Sequence, residues 1–280
     1  LCARSPLSGL TVDTTAGIVT MKSIILTDPR AAPVVDCVLV ATKSYDAAGA
    51  AAWFPRLCAS GAPVAILQNG VEHRERFAAF LPAERIVPVV VDLPAERTGR
   101  NTVRQRGPGR LTVADDAHGR EFSALFRGTE LIVTLTPDFK TAAWRKLCLN
   151  AAGAVSALLL QPAGILRDEA LGEIARDLVR ECLAVGRAEG AILEDEIVET
   201  VLRTCRAAPP DGPRQPPSAR ANNHHAGMQR YGLSLDQCPA DRTEPRGACR
   251  PGGRARCRTV DSRYSPPPLF HLEVKPEPLG

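Results

Sequence analysis

Residues 34–46 read VVDCVLVATKSYD, a run of β-branched and other apolar residues that gives way abruptly to polar ones. Apolarity that is continuous rather than alternating marks a strand buried on both faces. AAGAAAWFPRL (47–57) follows as a helix, with Ser44 or Asp46 in position to cap it. The plan then repeats. APVAILQNG (62–70) is an apolar strand to Leu67 followed by a Gln68-Asn69-Gly70 turn, VEHRERFAAFL (71–81) is a helix, and RIVPVVVDL (85–93) is a third strand. Strand, helix, strand, helix, strand predicts a parallel α/β sheet. GPGRLTVADD and TELIVTLTP (129–137) add strands, and there the alternation ends. Helical periodicity takes over at about 139–161, 166–190 and 194–205, with Leu171, Ile174, Leu178 and Leu183 as an apolar stripe on the second. The fold class predicted is α/β followed by all-α, with the boundary near residue 138.

Composition changes the picture in two places. Beyond residue 205 lie 13 of the 24 prolines and 11 arginines, with almost no periodic apolar pattern. Such a segment cannot bury enough surface to offset its ordering entropy, so residues 206–280 are expected to be disordered. The nine cysteines raise a metal or disulfide reading, but Cys37, Cys58, Cys148, Cys182 and Cys205 stand singly in apolar or helical stretches, without C-x-x-C spacing. They read as small buried hydrophobes, and no metal is expected. A net charge of +4 with scattered Lys and Arg makes no case for nucleic acid. No apolar run reaches membrane-spanning length and no signal-like opening is present, which points to a cytoplasmic protein.

Candidate chemistry sits where polar residues interrupt apolar elements. Ligands of open parallel sheets bind beyond the carboxyl ends of strands. Two successive strands end in Thr42-Lys43-Ser44 and Gln68-Asn69-Gly70. Each alone is an ordinary loop lysine or turn pair; at equivalent ends of neighbouring strands they point to one site. In WRKLCLNAAGAVSALLL (144–160), Lys146 and Asn150 lie four apart, and the same face continues through the small residues Gly153 and Ala157. Trp144, Leu147, Val155 and Leu158 fill the other faces. A lysine on such a helix either snorkels to the surface or meets a ligand.

VDCVLVATKSYD, ILQNGVEHRERF and FKTAAWRKLCLNAAGAVSAL resemble the ketopantoate reductases (2-dehydropantoate 2-reductases), from about residue 8 to 205. W-x-K-L-x-x-N is the specific motif. The resemblance implies an NADP-binding Rossmann-type domain over 1–137, a helical substrate domain over 138–205, and a place in pantothenate biosynthesis. It further implies that Lys146 is the catalytic general acid towards the C2 oxygen of a small-molecule 2-oxo acid, with hydride from NADPH. Asn150 is then a substrate ligand, Asn69 contacts cofactor and substrate, and Lys43 and Gln68 lie beside the cofactor. Arg4 matches the arginine that meets the 2′-phosphate. A homodimer is compatible with this reading; nucleic acid and membrane are not implied partners.

Three departures stand out. The family opens with strand–G-x-G-x-x-G–helix, which grips the pyrophosphate; the sequence as given has no such motif, so an incomplete Rossmann domain and loss of activity are expected. Where the family places further asparagines, the chain has Gly153-Ala154 and Ala163-Gly164, which opens the substrate to other 2-oxo acids. The closing helices are unrecognisable after 205, leaving a truncated helical domain and suggesting a shifted reading frame in the tail. The contrary reading is a non-catalytic pseudo-enzyme that acts only by association.

Overall fold

A computed structural model describes residues 1–7 and 9–208. All but the first three residues of the tail expected from 206 onward lie outside the described residues. Strands β1 (Leu10–Thr14) and β2 (Gly17–Met21) form a hairpin that the apolar pattern does not announce. β3 (Val38–Val40) leads to helices α1 (Ala47–Ala51) and α2 (Phe54–Leu57), then β4 (Val64–Ile66) and α3 (His73–Phe77). β5 (Ile86–Pro88) and β6 (Val90–Asp92) are separated by a single residue and followed by β7 (Ala95–Arg97), β8 (Thr102–Gln105) and β9 (Arg110–Ala114). α4 (Ala117–Ala124) and β10 (Ile132–Thr136) complete the mixed portion. Helices α5 (Phe139–Leu159), α6 (Glu169–Ala188) and α7 (Ile197–Arg206) follow. The architecture is a Rossmann-like α/β region and then a helical region.

The parallel sheet expected from the pattern is β3-β4-β5, with Val64, Ala65 and Ile66 fully buried at its centre. The remaining strands are mixed rather than purely parallel. β9 pairs parallel with β10 but antiparallel with β6, and β1 pairs antiparallel with β2 but parallel with β8. The helix expected over 47–57 breaks in two, because Pro55 at the second position of α2 lacks the N–H needed to continue α1. Neither candidate cap bonds that helix: no side-chain cap is made at α1, and the Asp46 carboxylate instead lies 3.6 Å from Arg4.

Of the stripe expected on α6, Leu183 is buried and Leu171 and Leu178 pack partly buried against the core, but Ile174 does not face inward. Gly172, Ala175, Val179, Leu183 and Gly186 face inward, while Ile174 is 52% exposed. Small residues on this face let α5 and α6 pack along their length, and Trp144 lies against Gly186 so closely that a Cβ there would sit 3.0 Å from the indole. On α5, Trp144, Leu147 and Val155 are buried as expected, but Leu158 at its end is 43% exposed.

His73 ties the two regions together. Its ring is buried, its Nε2 donates to the Gln68 carbonyl at 2.8 Å, and its edge meets the Phe139 ring at 6.1 Å. Burial holds its pKa down from 6.5 to about 4, so the folded protein keeps a neutral imidazole where the unfolded chain would take a proton. Between pH 6.5 and about 4 the unfolded state binds more protons, and stability must fall as pH falls through that window.

Two measurements check this packing. Gly186→Val should cost about 1–3 kcal/mol in urea unfolding through overpacking against Trp144, and an unchanged midpoint would show that the α5–α6 contact has slack. Wild-type stability should drop on going from pH 7 to pH 4 by up to about 3 kcal/mol more than that of His73→Gln, which keeps a donor but cannot titrate. Parallel pH profiles for the two proteins would rule out a buried neutral His73.

Candidate active site

Three neighbouring strands of the buried sheet run parallel, so their carboxyl ends open on the same edge. Past β3 lie Thr42 and Lys43; past β4 lie Gln68, Asn69 and Gly70; beyond β5 the chain continues as β6 to Asp92. Lys43 and Asn69 are exposed, whereas Gln68 is 4% exposed. The Gln68 amide nitrogen donates to Thr42 Oγ1 at 3.0 Å and to the Lys43 carbonyl at 3.3 Å, and its Oε1 accepts from Arg76 at 2.8 Å. Every hydrogen-bonding group of this side chain is therefore engaged with protein. Gln68 knits two strand ends together and turns Asn69 outward. Gly70 follows at φ 108, a left-handed conformation that favours glycine, and closes the turn.

Arg4 reaches the same edge from the other side. Residues 1–3 form an isolated parallel bridge with Leu26, and Arg4 follows directly, exposed and 3.6 Å from Asp46 at the start of α1. Arg4 and Lys43 thus put two cationic groups around one loop.

Helix α5 supplies the remaining candidates. The Asp138 carboxylate caps it by accepting from the Thr141 N–H at 3.0 Å, and the Thr141 side chain and that N–H together depress the Asp138 pKa. Thr141 Oγ1 in turn accepts from the Ile192 N–H at 2.8 Å and locks the first turn to the loop after α6. Lys146 is two turns in, its side chain 20% exposed, with Nζ 2.9 Å from Asp92 Oδ1. An ammonium has three N–H donors; Asp92 takes one, and no other acceptor meets it among the described residues. Asn150 lies one turn further along the same face, partly buried. Behind that face, Trp144, Leu147 and Cys148 anchor the helix in its core.

The structure brings Lys146 to Asp92 at the end of β6, the strand that continues from β5, and brings Gln68, Lys43 and Thr42 together at the ends of β3 and β4. Val71 and His73, on the far side of the Asn69-Gly70 turn, pack on α5 or its core. Asp92 is the residue that the sequence pattern missed. It ends an apolar run, VVVD, just as Lys43 and Gln68 end theirs, so the strand-end rule that singled out the other two applied to it as well.

The comparisons agree with this architecture. A family model described as ketopantoate reductase PanE/ApbA matches residues 3–117, and the model of the PanE/ApbA C-terminal region matches residues 138–224. The chain is 45% identical over 210 residues to the 2-dehydropantoate 2-reductase of Caulobacter vibrioides, covering 75% of this chain and 72% of that protein. Among solved structures, a PanE/ApbA family ketopantoate reductase from Ralstonia eutropha JMP134 superposes with a TM-score of 0.65 at 30% identity, over 78% of this chain and 83% of that one. A dimeric ketopantoate reductase from Staphylococcus aureus shares the fold at 18% identity, with a TM-score of 0.69 over 81% of this chain and 82% of its own. With its W-x-K-L-x-x-N helix, its parallel strand ends and these matches, the chain belongs to the ketopantoate reductase family of oxidoreductases.

Proposed function

We propose that this chain is built to reduce a small 2-oxo acid with NADPH, with 2-dehydropantoate as the first substrate to test. The observation that carries the reading is Lys146, an ammonium held by the Asp92 carboxylate at the carboxyl end of β6, with the Asn150 amide one turn further along the same helix. The relatives' established name, 2-dehydropantoate 2-reductase, supports the same substrate class.

The residues fit a dinucleotide in kind: two exposed cations, Arg4 and Lys43, suit its phosphates, and the exposed Asn69 amide suits its ribose or carboxamide. A bound nicotinamide would supply the hydride that reduces the C2 carbonyl. Lys146 donates a proton to the carbonyl oxygen as charge develops there, a general-acid role. Asn150 hydrogen-bonds the substrate and Asn69 orients it. Gln68 acts one step back, holding Lys43 and Asn69 where they stand. Asp92 is a positioning residue. By occupying one of the three ammonium donors it aims the other two, and its negative charge discourages a substrate carboxylate from seizing the lysine in place of the carbonyl oxygen. A homodimer working in the cytoplasm in pantothenate biosynthesis completes the reading; among the described residues no helix is long and apolar enough to cross a membrane.

NADPH fluorescence titration of the purified chain, followed by turnover of 2-oxo acids, tests this reading. Saturable binding should be kept in Lys146→Ala while turnover falls by about 10²- to 10⁴-fold. No binding at millimolar cofactor would leave the non-catalytic reading standing. Asp92→Asn separates positioning from decoration. Removing a like charge should lower KM for an anionic substrate by up to about fivefold, the worth of an exposed charge pair, while kcat falls because the ammonium loses its guide. Unchanged KM and kcat would reduce the pair to an incidental surface contact.

A further inference from the structure

Cys148 and Cys182 are 34 positions apart and read in sequence as two unrelated small hydrophobes. In the fold they meet across the α5–α6 interface with their sulfurs 3.6 Å apart. Both are free thiols, Cys148 buried and Cys182 partly exposed. Cys148 belongs to the helical core, and Cys182 packs on that core from α6. The contact eases ionisation of Cys148, whose thiolate the neighbouring S–H can hydrogen-bond, and holds Cys182 in the thiol form. The other described cysteines, Cys2, Cys37, Cys58 and Cys205, have no sulfur partner of this kind.

We propose that Cys148 and Cys182 are a redox-modification site that closes into a reversible disulfide between α5 and α6. A peroxide is the class of oxidant that fits, being small enough to enter from the partly exposed side of Cys182. The Cys148 thiolate attacks one peroxide oxygen; an S–O bond forms, the O–O bond breaks, and the departing hydroxide takes up the proton that the Cys148 thiol released on ionising, leaving as water. The Cys182 sulfur then attacks the sulfenic sulfur; the S–S bond forms, the S–O bond breaks, and the departing hydroxyl takes up the thiol proton as water. Two electrons pass from the sulfurs to the peroxide, which ends as two waters. In a reducing compartment a thiol returns the bridge to two thiols, as for the transient disulfides found there.

The bridge would act on the helix face opposite. A disulfide needs its sulfurs about 2.05 Å apart, so the pair must close by roughly 1.5 Å, shared between rotation of the two side chains and strain in the turns of α5 and α6 that bear them. Lys146 and Asn150 lie two residues to either side of Cys148. A misplacement near 1 Å at a catalytic group costs up to about 10²-fold in rate, so oxidation should switch turnover down. This last consequence rests on the proposed function; the bridge itself does not.

The test is mass spectrometry of the full chain after hydrogen peroxide. Non-reducing tryptic mapping should join peptide 147–167 to peptide 181–187 with a loss of about 2 Da. Dithiothreitol should release the pair, and Cys182→Ser should never form it. Recovery of both peptides as separate alkylated thiols, under peroxide that oxidises other cysteines of the chain, overturns the site. In parallel, oxidised wild type should lose turnover about tenfold or more and regain it with dithiothreitol, while Cys182→Ser keeps its turnover under peroxide. A cross-link without that loss overturns the coupling to Lys146. Absence of turnover in the reduced protein would count against the proposed reductase activity and leave the mapping result to decide the bridge.

Discussion

Helix α5 has to satisfy two environments at once, and the close approach of α6 makes that possible. One side of α5 carries Trp144, Leu147, Cys148 and Val155 into an apolar core. The other carries Lys146 to Asp92 at the end of β6, with Asn150 one turn further along. A helix can hold a lysine and an amide in fixed register only if its opposite face is immobile, and immobility here comes from glycine and alanine on α6 rather than from bulk. Trp144 lies against Gly186 with no room for a side chain there. Density of this kind leaves the helix little freedom to translate, so the polar groups inherit the precision of the core behind them.

The same logic holds on the sheet side. Loops past strand ends are ordinarily the least constrained part of an α/β protein, yet here the buried Gln68 side chain braces two of them. Gln68 spans from Arg76 to Thr42 and Lys43, and His73 holds the Gln68 carbonyl from beneath. A neutral buried imidazole donates a hydrogen bond without bringing a charge into the core, and the low pKa is the consequence of that choice. Because His73 also rests on Phe139 at the start of α5, the brace for the turn and the foundation of the helix are one packed unit.

These relations were unequally legible in the sequence. Strands β4 and β5 declared themselves because parallel strands buried on both faces read as unbroken apolar runs; β3 reads the same way although its Leu39 is 47% exposed. The Lys146/Asn150 face was legible because three- and four-residue steps on a long helix are reliable geometry. The hairpin β1–β2 was not: β2 is exposed along its length, with Ile18 and Val19 turned outward, so its apolar residues carry no burial pattern to read. On α6 the pattern places Leu171, Leu178 and Leu183 against the core and fails only at Ile174. Counting large apolar residues favours Ile174, whereas the interface selects small ones that permit close approach. Asp92 and the Cys148–Cys182 contact depend on which elements become neighbours, and no local window holds that information.

The position of Asp92 bears on what the site recognises. An anionic substrate is usually met by a surplus of donors, yet this face offers Gly153 and Ala154, which contribute no side-chain donor, and sets a carboxylate beside the principal cation. With two lysine donors and the Asn150 amide available, a 2-oxo acid has more than one way to bind, because its carboxylate is the stronger acceptor and would displace its carbonyl at Lys146. On the proposed reading, Asp92 acts against that orientation. Repulsion grows as the carboxylate nears the lysine and is weakest when the neutral carbonyl oxygen takes that place. On the proposed reading, a site with few donors and one well-placed anion selects the reactive orientation by penalising its rival, and the affinity it gives up for anions in general is the counterpart of that selection.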